Sequence, residues 1–221
     1  MKNRGIWLVA ILFAFGASMT TRADLVYSLA ADQSSYDVNV GDTVAVNVYL
    51  VETATGGSTS LLGDTDAGLI TAEIRLAFGA TDPAQVHGEG DISSNGSFDG
   101  SSLVKGVGPG IATLQQDVDF GSPPVPGFAR GPDVFAAWLG TFTFTADAVG
   151  TTHVAIEGFN ANATNFTATN ANFEIFELTV QPGSFSIHSE SGTAVPEPST
   201  WILAATAALG LAPTLGRRPT R

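Results

Sequence analysis

"TVAVNVYLVE", Thr43 to Glu52, decides the fold of this chain. Val44, Val46, Val48 and Leu50 recur at every second residue, with Ala45, Asn47 and Tyr49 between them. A period of two places the four aliphatic side chains on one face of an extended strand, whereas a helix needs a stripe at every third or fourth position. SYDVNV (35–40) just ahead of it alternates in the same way, and Gly41-Asp42 supplies the turn between the two runs.

The same period returns in LVYSLA (25–30), LITAEIRLAF (69–78), GIATLQQDVDF (110–120), WLGTFTFTA (138–146), THVAIEGF (152–159), FEIFELTV (173–180) and SFSIHS (184–189). In the run over 69–78, alternation points Ile70, Ile74, Leu76 and Phe78 inward. No stretch of the domain carries a clean helical stripe. Eight or nine short strands punctuated by Gly, Pro, Asn and Asp predict an all-β fold, an antiparallel β-sandwich. Residues 79–133, rich in Gly and Pro, read mainly as long loops, and such loops often form the functional surface. TNFTATNANF (164–173) reads as a loop or an edge strand.

The ends of the chain differ from its middle. Lys2 and Arg4 precede an uncharged run from Gly5 to about Ser18, and small residues at Thr21 and Ala23 fit cleavage before Asp24. Residues 1–23 are therefore read as a secretory signal peptide, 24–190 as one globular domain and 191–221 as a spacer and anchor. The sequence has no cysteine, so an exported domain of this kind must hold itself together by burial; roughly 170 residues suffice for one core hiding about 70% of the chain's surface.

The formal net charge is −12, from 9 Lys and Arg against 21 Asp and Glu. Within 24–190 only Arg75, Lys105 and Arg130 remain against twenty acids, a net of −17. Such a surface repels nucleic acid and anionic lipid and attracts cations.

Chemistry-bearing patterns are sparse. His87, His153 and His188 are far apart and belong to no HExxH, and the chain has no nucleophile elbow, no phosphate loop and no dinucleotide fingerprint. Asp64-Thr-Asp66-Ala-Gly68 alternates acids ahead of a glycine, which makes Asp64 and Asp66 candidate ligands for Ca2+. A third acid is missing, and Arg75 stands where an EF-hand places its final Glu. Asp117 and Asp119 offer paired carboxylates for the alternative of a glycan hydrolase. The Thr141, Thr143, Thr145 ladder offers a second alternative, an ice- or mineral-binding surface. Phe and Trp fall mostly at alternating, core-compatible positions, which predicts no exposed aromatic platform.

VNVGDTVAVNVYL (38–50), EIRLAFGATDP (73–83) and LGTFTFTADAVGTT (139–152) resemble the cohesin-like family of bacterial β-sandwiches. The resemblance implies a non-enzymatic scaffold in which the first piece forms an early strand pair and the second, after a loop, a further strand. It departs from the family's Phe-Asp-Pro at Phe78-Gly79-Ala80-Thr81-Asp82-Pro83.

The tail is more specific. Pro196-Glu197-Pro198 is followed by an apolar run from Trp201 to Leu215, about 22 Å long as a helix, and then by Arg217, Arg218 and Arg221. These three parts in this order are similar to the PEP-CTERM sorting signal of bacterial surface proteins. That resemblance implies exosortase as a partner, the cell membrane as a temporary anchor through a short C-terminal transmembrane helix, and delivery to the cell surface or extracellular matrix. The expected partners of the domain itself are exopolysaccharide or another surface protein.

Overall fold

The computed structural model describes residues 24–79, 85–159 and 165–192. Ala23 and the rest of the signal segment lie outside them, as do Pro196, Glu197, Pro198, Trp201, Arg217, Arg218 and Arg221. Asp24 is the first described residue, exposed, and its carbonyl accepts hydrogen bonds from the Thr55 amide and hydroxyl.

All secondary structure among the described residues is strand. In chain order these are β1 (Leu25–Ala31), β2 (Ser35–Asn39), β3 (Thr43–Ala54), β4 (Gly68–Phe78), β5 (Val86–Gly88), β6 (Ser93–Ser94), β7 (Val104–Gly108), β8 (Ile111–Asp117), β9 (Phe128–Gly131), β10 (Val134–Ala146), β11 (Gly150–Gly158), β12 (Phe166–Thr169), β13 (Ile175–Glu177), β14 (Val180–Gln181) and β15 (Gly183–Glu190). They form two sheets. The first runs β14-β1-β3-β10, with β5, β6 and β9 each pairing a different stretch of the outer edge of β10. The second runs β13-β12-β4-β11-β15-β2, with β8 on the other side of β4 and β7 beyond it.

The alternation in β3 does what its sequence requires. Val46, Val48 and Leu50 are fully buried and meet Ile74, Leu76, Val154, Ile156 and Ile187 of the facing sheet. Each such side chain contributes about 1.5–3 kcal/mol on burial. Edge-to-face aromatic pairs join the layers, Phe78 to Phe144 at 5.3 Å and Phe144 to Phe185 at 6.1 Å.

Five expectations change. The strand segments among the described residues number fifteen rather than eight or nine, because short pieces (β5, β6, β7 and β9) occupy the region read mainly as loop. Two pairings are parallel, β1 with β14 and β2 with β15, so the sandwich is antiparallel only in its main body. The second of these overturns the early strand pair: β2 lies beside β15 in one sheet while β3 belongs to the other. Gly41 (φ +90°) turns the chain across the edge of the sandwich, its amide bonded to the Ala146 carbonyl. FEIFELTV is likewise not one strand but β13 and β14, which sit in different sheets.

The fifth change concerns Ile70. The pairing of β4 with β12 skips it, since Thr71 faces Thr167 and Leu69 faces Ala168. This bulge shifts the inward set to Leu69, Ala72, Ile74, Leu76 and Phe78, and Ile70 is left half-buried on the other side.

Strand register defines two ends of the sandwich. Gly68, Asp117 and Thr169 lie together at one, where Gly68 pairs with Thr169 and Thr71 with Asp117. Phe78, Ala146, Gly150 and Glu190 mark the other. The eleven residues of β4 separate them by about 35 Å. The chain enters β1 at the first end, where Leu25 faces Ala54, and leaves β15 at the second.

Candidate functional site

The first end carries a cleft of about 550 Å³ built from two presenting loops. One is residues 118–124. Both of its feet stand on the bulge in β4: the Val118 amide bonds to the Ile70 carbonyl at 2.9 Å, and Leu69 and Val125 exchange backbone bonds at 2.9 and 2.8 Å. Asp99 braces its middle by accepting from the Asp119 amide (3.0 Å) and the Ser122 hydroxyl (2.7 Å). The Ser122 bond, then the Asp119 amide, hold the Asp99 carboxyl below the usual carboxylate range. At the tip, Phe120 is fully exposed.

The other loop is the turn between β12 and β13. Asn170 organises it, with Oδ1 accepting from the Asn172 and Glu174 amides and Nδ2 donating to Glu174 at 2.8 Å. Phe173 sits there with φ +60°, a left-handed conformation that costs a bulky residue roughly 1–3 kcal/mol. It is 83% exposed, and Ile175 next to it is 68% exposed. Ile70, Val118, Phe120, Pro124, Phe173 and Ile175 make the cleft apolar, with Asp119, Ser122 and Thr169 as its polar members. Here the expectation of no exposed aromatic platform fails: Phe120 and Phe173 occupy positions compatible with alternation, but both fall in turns rather than strands.

The other sequence candidates have structural tasks. Asp64 Oδ1 accepts from the Asp66 amide at 3.0 Å, closing a local turn. Among the described residues no group of three His, Cys, Asp or Glu side chains could hold a metal ion. Asp117 takes both the amide and the hydroxyl of Ser102, at 3.0 and 2.9 Å, and does not line the cleft that Asp119 lines. Thr141 and Thr145 spend their hydroxyls on Asn47 (2.6 Å) and Glu89 (2.5 Å), which removes them from an ordered surface array. His153 pairs with Ser186 and His188 with Thr151, each at 2.9 Å across β11 and β15.

His87, on the edge strand β5, lies 2.8 Å from Asp147 and 3.2 Å from Glu89. Its hydrogen bond to Asp147, with the two nearby charges, outweighs slight desolvation and raises its pKa. A raised folded-state value means that the pair's contribution is complete below the unfolded value of about 6.5 and is lost as pH rises through the folded value. An NMR titration of His87 should show its midpoint falling in Asp147→Asn. An unchanged midpoint would mean that Asp147 does not hold the proton.

Sequence reasoning missed one buried charge. Glu52 continues the inward face of β3 and is completely buried, accepting from the Ser60 hydroxyl and from the Leu61 and Leu62 amides at 3.0 and 3.2 Å. Tyr27 faces it from β1, and burial first, then the Glu52 charge, push its phenol well above the ordinary range. The alternating run ends on Glu52 and a small polar stretch, TATGGSTS (53–60), follows it, so from sequence the charge reads as the solvent-facing end of the strand.

No family model matches the chain, and no curated protein matches it. Several solved structures align with much of its length. A chain of the CaDoc0917–CaCohA2 complex aligns at 12% identity and a TM-score of 0.48, over 75% of this chain and 100% of that one. A type II cohesin domain from the cellulosome of Acetivibrio cellulolyticus aligns at 11% identity and 0.35, over 73% and 94%. BcpA, the major pilin subunit of Bacillus cereus, aligns at 11% and 0.35, over 77% of this chain and 41% of the pilin.

Proposed function

We propose that this chain is an exported, non-enzymatic binding module of a bacterial cell surface or extracellular matrix. Residues 1–23 direct export, 24–190 form the cohesin-like sandwich, and 191–221 carry a PEP-CTERM signal that exosortase cleaves after temporary membrane anchoring. The observation that carries the binding role is the cleft: two aromatic side chains, Phe120 and Phe173, stand in solvent on loops that are each braced by a dedicated polar side chain. Exposed aromatics on a prepared frame are what a recognition surface requires.

Polarity of the fold agrees with this reading. The chain leaves β15 at the end opposite the cleft, about 35 Å away. A sandwich tethered through the segment after β15 therefore presents Phe120 and Phe173 away from the membrane.

Expression of the full chain in hosts with and without an exosortase tests the sorting half. The expected result is a mature protein that begins near Asp24, ends near Pro196 and leaves the membrane only when the protease is present. An intact C-terminus retained in the membrane of both hosts would overturn it. Turnover of a polysaccharide, lost on replacing Asp117 or Asp119, would instead establish the hydrolase.

A further inference from the structure

The geometry points to a specific occupant for the cleft: an extended, basic segment of a partner protein that adds as a strand to the free edge of β13 and inserts one apolar side chain between Phe120 and Phe173. This inference rests on reading the domain as a binding module.

The edge comes first. β13 ends the order of its sheet and pairs only with β12. The Asn170 amide bonds to the Glu174 carbonyl and the Leu178 amide to the Phe166 carbonyl, so residues facing one another at 170/174 and 166/178 are the hydrogen-bonded pairs. Alternation then makes Ala168/Phe176 another such pair, and the backbone groups of Ile175 and Glu177 point away from the sheet. Ile175, Phe176 and Glu177 are all exposed, so nothing else in the described chain covers this edge. Ile175 belongs to both features, since it also lines the cleft. A strand laid on β13 would therefore gain main-chain bonds from the edge and a side-chain pocket from the cleft, the two parts of recognition by strand addition.

Charge selects among occupants. Asp119 lines the cleft, Glu174 and Glu177 flank it along the turn and β13, and none of its lining residues is cationic. Of the domain's three cations, Arg75 is paired with Glu157 at 2.5 Å and Arg130 lies 4.2 Å over the Tyr49 ring. Lys105 is on β7. A segment bearing Lys or Arg complements this surface. A second copy of the domain, also at −17, is repelled by it. Two phenylalanines at roughly 150–250 Å² each also fall well short of the ~800 Å² per partner of a stable interface. A neutral glycan suits the cleft poorly, because Ser122 donates to Asp99 and Thr169 to the Asn170 carbonyl, which leaves few polar groups to meet sugar hydroxyls.

The test uses the full chain in a nonionic detergent and a fluorescent octapeptide alternating Lys with Val and carrying one central Phe. Saturable binding is expected, weakening as salt is raised. It should fall by about tenfold or more in the double variant Phe120→Ser with Phe173→Asn, the latter keeping a residue that tolerates positive φ. A similar loss is expected when the peptide's alternate amides are methylated, a change that touches only its ability to pair as a strand. Binding unchanged by either alteration would reduce the effect to diffuse electrostatics and overturn the inference. So would saturable binding of cellohexaose with no binding of the peptide, or self-association abolished by the same two substitutions. Failure here leaves the exosortase experiment untouched, and failure of that experiment does not alter peptide binding, so the two readings fall separately.

Discussion

Replacing Glu52 by leucine is expected to cost the domain about 3–5 kcal/mol, even though leucine is more apolar and the site is completely buried. The reason lies in the donors left behind. Ser60, Leu61 and Leu62 direct a hydroxyl and two amides at the carboxylate, and leucine offers them nothing. A buried donor without an acceptor costs about 1–3 kcal/mol, and two or more are affected. Against a total stability of about 5–15 kcal/mol this is a large fraction, and it should lower Tm by about 10 °C. Glu52→Gln should lose less, because the amide oxygen keeps one acceptor. Urea denaturation followed by tryptophan fluorescence checks both. A loss below about 1 kcal/mol for the leucine variant would mean that the loop over 55–67 rearranges to satisfy its own amides, and that Glu52 is not what fastens it.

Much of the frame is readable from period alone. β1, β3, β4, β11 and β15 lie where alternation places them, because each has one face against the core and one toward solvent. What alternation does not encode is which sheet a strand joins. β2 and β3 are separated by a short turn yet lie in opposite layers, a decision made by the positive φ of Gly41 and by the Ala146 carbonyl that receives its amide. The cleft was half legible. Its first loop falls within the Gly- and Pro-rich region expected to hold the functional surface. Its second was hidden because Phe173 and Ile175 look like members of an inward-facing run. Only the left-handed backbone at Phe173, framed by the Asn172 and Glu174 amides that bond to Asn170 Oδ1 on either side of it, turns them to solvent. The Asp64-x-Asp66 spelling shows a different ambiguity: alternating acids before a glycine serve a local turn, as the Asp66 amide to Asp64 bond does here, as readily as an ion.

Gly68→Ala should disturb the fold and the cleft together. Gly68 has φ +152°, and a Cβ built there would lie 2.3 Å from the Val125 carbonyl oxygen and 2.7 Å from its carbon. Both are backbone atoms of the segment that follows the 118–124 loop, so no side-chain rotation relieves the contact. The reciprocal bonds between Leu69 and Val125 must lengthen, and the loop loses one of its two feet on β4. Strain and the weakened pair together are expected to cost about 2–4 kcal/mol. Gly96→Ala provides the comparison, since nothing lies within 4 Å of its Cβ position, and it should change stability by no more than about 0.5 kcal/mol. The functional consequence separates a general loss of stability from a specific loss of the site. At a temperature where the Gly68→Ala protein is still fully folded, its affinity for the Lys-Val-Phe peptide should fall while near-ultraviolet circular dichroism of the core aromatics is kept. Equal losses in peptide binding and core signal would mean that the clamp at Gly68 holds the sandwich as a whole. Loss of binding alone would mean that it holds the loop carrying Phe120, and would place the recognition surface where β4 bulges.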